Sequence, residues 1–128
     1  MYSQQVLDHF QHPRNAGDLP DADVTAEVEN PACGDILRLA ANVQDGRLQE
    51  VRFKARGCVA AVAAASALTE LLTRRSLADA QALRPEDVLA ELGSLPDESM
   101  HATHLAIDAT RALLEQIDRS PQRSIAGR

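Results

Sequence analysis

Three runs of the chain alternate apolar and polar side chains with a period of two, separated only by short turn sequences. VTAEVEN puts Val24, Ala26 and Val28 on one face, with Thr25, Glu27 and Glu29 on the other. After PACGD, the run ILRLAANV sends Leu37, Leu39, Ala41 and Val43 to one side, and LQEVRFKA turns Val51, Phe53 and Ala55 inward. Such alternation marks strands buried on one face only. Asp45-Gly46 between the second and third runs is a hairpin signal, because glycine tolerates positive φ. The three runs therefore predict an antiparallel meander.

The second half of the chain reads as helical. GCVAAVAAASALTELL is too rich in alanine to be anything else. SLADAQAL opens on Ser76 with Asp79 three residues later, close to a capping box, and PEDVLAEL starts at Pro85 and stops at Gly93. A last helix spans about Ser99 to Asp118, with Ala102, Leu105, Ala106, Ala109, Leu113 and Ile117 as its apolar stripe. Ahead of the strands, SQQVLDHF reads as a helix capped by Ser3, with Val6, Leu7 and Phe10 at helical spacing. Pro13 and Gly17 end it. RSPQRSIAGR carries no pattern. The expected fold class is α+β: an N-terminal helix, a three-stranded antiparallel meander, then C-terminal helices packed on the sheet. One domain is expected over 1–118, with 119–128 a flexible tail.

Composition narrows the function. Aromatic residues make up 2% of the 128, so the core must come from aliphatic residues and many alanines. Alanine buries little area, which predicts modest intrinsic stability that a bound ion or partner would raise. The formal net charge is −6, and no basic stripe with stacking aromatics appears, which argues against a nucleic-acid partner. No apolar run is long enough for a membrane span, and MYSQQVLDHF lacks the pattern of an export signal. A cytoplasmic location is expected, in which the two cysteines are free thiols or metal ligands.

Those cysteines sit on turns. Cys33 lies between the first two strands, beside Gly34 and Asp35, and Cys58 sits where the third strand passes into the alanine-rich helix. A helix N-terminus favours thiolate, the form that binds metal or attacks sulfur. In a meander the end of the third strand adjoins the start of the second, so Cys33 and Cys58 can meet. Their spacing is not that of a CxxC motif, and a single cysteine at a helix start is more often a small buried residue. His9 and His12 belong to the first helix and its exit, where capping or solvation is expected. His101 borders the apolar stripe of the last helix, a position open to either a ligand or a satisfied boundary histidine. His104 shares the polar face with Asp108, Arg111 and Glu115 and is expected to be solvated.

Taken in order, YSQQVLDHFQHPRNAG, PACGD, FKARGC, LTELL and a histidine opening the last helix resemble the IscU/NifU N-terminal family of iron–sulfur cluster assembly scaffolds. The resemblance covers nearly the whole chain. It implies a ligand set of Cys33, Asp35, Cys58 and His101 for metal or cluster, and a transient cluster, [2Fe–2S] in type, as cargo. It implies a cysteine desulfurase as sulfur source and apo iron–sulfur proteins as recipients. The family's third cysteine is replaced by Ala102, since the row reads His101-Ala102-Thr103. A branch served by a dedicated Hsp70 chaperone carries LPPVK upstream. Here Leu95–Ser99 reads LPDES, so that chaperone is not implied.

The favoured function is a scaffold that is not itself an enzyme, receiving sulfur and iron and passing a cluster to apo-proteins. The alternative is a zinc-dependent sulfur acceptor, in which zinc holds Cys33, Asp35, Cys58 and His101 until one thiolate is freed. A third reading is a partner-binding module of the same fold. Resting metal and homo-oligomeric state stay open.

Overall fold

A computed structural model describes residues 1–119; of the tail expected over 119–128, all but Arg119 lies outside the described residues. Strands β1 (Val24–Asn30), β2 (Asp35–Gln44) and β3 (Arg47–Arg56) form one antiparallel sheet in the order β1-β2-β3. The registers Val28↔Leu37 and Leu37↔Ala55 align the apolar rows across the three strands. Asp45 and Gly46 both take positive φ in the tight turn between β2 and β3. The meander is as the alternation predicts, with one addition. Val43 pairs with Leu48 but Asn42 pairs with Glu50, so Gln49 is the extra residue of a bulge. The bulge lets Leu48 face the core together with Val51 and Phe53, although an unbroken alternation would send Leu48 outward.

One face of the sheet is covered by helices. α2 (Val59–Leu72) packs on β3 and is wrapped in turn by α1 (Gln4–Gln11), α4 (Pro85–Leu92) and α5 (His101–Asp118). A helix apolar on nearly all sides belongs inside a domain, and small alanines let its neighbours approach closely. α3 (Leu77–Gln81) starts at Ser76, whose Oγ accepts from the Asp79 N–H at 3.0 Å. α4 carries Pro85 at its first turn, where a missing N–H costs nothing, and the Arg84 N–H donates to Asp87 Oδ2 at 2.8 Å. The last helix begins two residues later than expected, because Asp97–Ser99 form a separate 3-10 turn. Its stripe is buried throughout, and Thr103, Ile107 and Thr110 are buried as well, because α2, α3 and α4 extend the covered face.

α1 corrects two expectations. Of Val6, Leu7 and Phe10, only Val6 enters the core; Leu7 and Phe10 are 36% and 40% exposed. The second buried side chain is His9, expected to cap or to be solvated. Its Nδ1 lies 2.8 Å from Ser66 Oγ on α2, and that oxygen also accepts the Arg14 N–H at 2.8 Å. A hydroxyl that accepts from Arg14 can donate to a neutral imidazole, so the buried ring is satisfied. Burial pushes the His9 pKa below the ordinary histidine value, with Arg14 adding to the effect. The following loop is tied down by Asn15 Nδ2 to Thr69 Oγ1 at 3.2 Å, and by the Phe53 N–H donating to Asn15 O at 2.9 Å. The HPRNAG stretch thus works as a clasp holding α1 to α2 and β3.

Candidate functional site

The meander brings the start of β2 beside the end of β3, with Ile36 paired to Arg56. Asp35 and Cys58 stand at that edge. Asp35 continues the inward row of Leu37 and Leu39, so its carboxylate points under the helical layer and is only 5% exposed. Room for it comes from Gly57. A Cβ on Gly57 would lie 2.6 Å from Asp35 Cγ, and its φ of +153° also favours glycine.

Cys58 is the N-cap of α2, with extended backbone and no side-chain capping bond. Its Sγ stands 3.7 Å from Asp35 Oδ2, where the thiol donates to the carboxylate. Cys33 occupies the β1–β2 turn, which is closed by N–H bonds from Cys33 and Gly34 to Asn30 O at 3.3 and 2.7 Å. Gly34 takes φ +78° at the junction with β2. Both thiols are free and exposed.

His101 opens α5 and reaches the same oxygen, with Nε2 3.2 Å from Asp35 Oδ2. Its Nδ1 lies 3.1 Å from the Glu98 carbonyl of the 3-10 turn. A carbonyl can only accept, so this contact is a hydrogen bond when Nδ1 carries a proton, and Nε2 is the ring nitrogen turned toward the carboxylate. An Nε2–H would donate to this carboxylate, and an unprotonated Nε2 would share a bound cation with it. Anchoring of the remote ring nitrogen by a carbonyl is how metal-binding histidines are usually oriented.

Ligating atoms of Cys33, Asp35 and His101 lie within 4.8 Å of one another, and Cys58 joins the group through Asp35. All four residues singled out from the sequence therefore meet at one open edge of the sheet. Ala102, where the resemblance leads one to look for a third cysteine, is 1% exposed and belongs to the core. His104 is exposed and lies with Glu29, Pro31 and Asp108 along a shallow cleft beside His101. Two contributors escaped the sequence reading: Gly57, whose signal was its place directly before Cys58, and the Glu98 carbonyl, which side-chain patterns cannot reveal.

Comparison with known proteins identifies the family. The NifU-like N terminal domain family matches residues 1–123. The chain is 41% identical over 111 residues to the iron-sulfur cluster assembly scaffold protein IscU 1 of Archaeoglobus fulgidus, covering 87% of this chain and 72% of that protein. It is 39% identical over 117 residues to the scaffold protein IscU of Escherichia coli K12, covering 88% and 91%. The crystal structure of a NifU-like protein (N-terminal) from Brucella abortus shares the fold, with a TM-score of 0.75 at 18% identity over 91% of this chain and 94% of that one. With a family match over nearly its whole length and relatives at about two-fifths identity, the chain belongs to the NifU-like N-terminal domain family, alongside the IscU scaffolds.

Proposed function

We propose that this chain is an iron–sulfur cluster assembly scaffold whose cargo rests on Cys33, Asp35, Cys58 and His101. The supporting observation is the convergence of Cys58 Sγ and His101 Nε2 on Asp35 Oδ2, with Cys33 beside them, in a member of this family. Cluster iron prefers thiolate, and here two thiolates are joined by one imidazole and one carboxylate. The hard carboxylate oxygen binds iron less firmly than sulfur does, which favours release of the cargo over storage. A scaffold of this kind is not a classical enzyme, because its product is the cluster it hands on.

Both thiols face solvent, as delivery by a cysteine desulfurase and hand-over to an apo iron–sulfur protein require. A transient [2Fe–2S] unit matches four protein donors, two for each iron. The zinc-dependent sulfur acceptor draws no support from the relatives, which are named as scaffolds. No helix among the described residues is long and apolar enough to cross a membrane. The reading is tested by anaerobic reconstitution with ferrous iron and sulfide, then incubation with an apo-ferredoxin. The expected result is a visible circular dichroism spectrum that moves from this chain to the ferredoxin. A ferredoxin that fills no faster than with iron and sulfide alone would contradict it.

A further inference from the structure

Sulfur carried as a persulfide is at the sulfane level, and each atom needs two electrons to become the sulfide of a cluster. The site holds two thiols, and these are the only cysteines of the chain. They flank one carboxylate: Cys58 Sγ stands 3.7 Å from Asp35 Oδ2, and Cys33 Sγ lies within 4.8 Å of the ligating atoms of Asp35 and His101. Their supports differ. Cys58 is fixed at the start of the fourteen-residue α2. Cys33 rides on a four-residue turn joined to β2 through Gly34, a residue with no side chain to hinder rotation. Neither sulfur is buried, so incoming sulfur and departing sulfide both have a path to solvent.

We infer that the Cys33–Cys58 pair reduces delivered sulfane sulfur to sulfide as well as holding the product. A persulfide on the donor transfers its outer sulfur to Cys58, leaving the donor as a thiol and Cys58 as Cys58–S–SH. The Cys33 thiolate then attacks Cys58 Sγ. A Cys33–Cys58 bond forms, the bond from Cys58 Sγ to the outer sulfur breaks, and its electron pair leaves on that sulfur as hydrosulfide. The balance is Cys58–S–SH plus Cys33–S⁻ giving the disulfide plus HS⁻. The two cysteine sulfurs are oxidised by two electrons in total and the sulfane sulfur is reduced by two, the ordinary course of thiol–disulfide exchange. A dithiol reductant must reopen the disulfide before the pair can hold iron.

This step rests on the scaffold reading for its sulfur supply, but not on cluster formation. The test uses the full chain, reduced, desalted and free of iron, treated anaerobically with inorganic polysulfide and desalted again. Expected for the wild type is a mass lower by two hydrogens, with released sulfide. Expected for Cys33→Ser is a mass higher by one sulfur atom, assigned to Cys58 by peptide mapping, with release of sulfide lost. A wild type that retains the added sulfur without forming the disulfide would overturn the inference. So would a Cys33→Ser protein that releases sulfide as fast as the wild type, or a chain that takes up no sulfur. Both cysteines are exposed, so serine leaves the core intact, which far-ultraviolet circular dichroism verifies. Reconstitution from iron and ready-made sulfide needs no such reduction, so failure here and failure of the scaffold reading are told apart.

Discussion

His101 Nε2 and Asp35 Oδ2 stand 3.2 Å apart although 66 positions separate them in the chain. The contact joins the first turn of α5 to the first residue of β2, at the edge where Cys58 also meets Asp35. With Nδ1 against the Glu98 carbonyl, Nε2 is the ring nitrogen turned toward the carboxylate. Asp35 is thus the common point of the site, met by both Cys58 and His101.

Replacing His101 by alanine removes the ring nitrogen that faces Asp35 while leaving both thiols. Affinity for ferrous iron or zinc, measured by competition with a chromophoric chelator, should fall by about 10-fold or more, the scale seen when a metal site loses even a supporting partner. An unchanged affinity would place the ion elsewhere.

Gly57→Ala pushes a methyl group toward Asp35 Cγ, at 2.6 Å without relaxation, from a backbone conformation that alanine rarely adopts. The expected cost is about 1–3 kcal/mol in urea unfolding, together with weaker metal binding because Asp35 must move away. Normal stability and normal binding would show that the carboxylate does not depend on this space.

Ser66→Ala removes the acceptor of the Arg14 N–H and the partner of His9 in one change. Leaving buried polar groups unmatched should lower unfolding stability by about 1–3 kcal/mol. Because this clasp lies away from Cys33 and Cys58, metal binding by the folded variant should be unchanged.

The same clasp predicts a pH dependence. Burial lowers the pKa of folded His9, so the unfolded chain takes up a proton first as the solution becomes acidic. Its contribution is fully present above the unfolded histidine value of about 6.5. It declines as pH falls from there through the lowered folded value. Charged groups facing the ring are Arg14, which lowers its pKa further, and Glu70, Asp8 and Glu91, which oppose the shift. Asp8 is itself lowered, chiefly by its bond to Arg14, and this stability is lost only in more acidic solution, below the ordinary aspartate range. Melting temperatures measured from neutral pH downward should fall less steeply in His9→Gln than in the wild type across the histidine window. Equal slopes would assign the loss to other groups.

The meander was legible because period-two alternation reports one buried face, and Asp45-Gly46 marks the turn. Leu48 was not, since a bulge at Gln49 breaks the period that placed Val51 and Phe53. That Cys33 and Cys58 stand at one edge of the sheet, each beside Asp35, followed from antiparallel topology alone. The helix pattern left His101 open between ligand and boundary histidine, and only the family resemblance joined it to Asp35, because no local pattern links residues on a strand and a helix 66 positions apart. His9 escaped for the same physical reason: its partner Ser66 lies on another helix, and of the three apolar residues around it only Val6 is buried.

In the proposed scaffold, four side chains with only two thiolates among them hold the cargo. Iron and acid-labile sulfide should be measured after anaerobic reconstitution of the wild type and of Cys58→Ala. Near-equal amounts of bound iron and sulfide in the wild type, lost in the variant, are the expected result. Wild-type protein that binds zinc tightly and no sulfide, or a variant that retains its sulfide, would show that the cargo is not held this way.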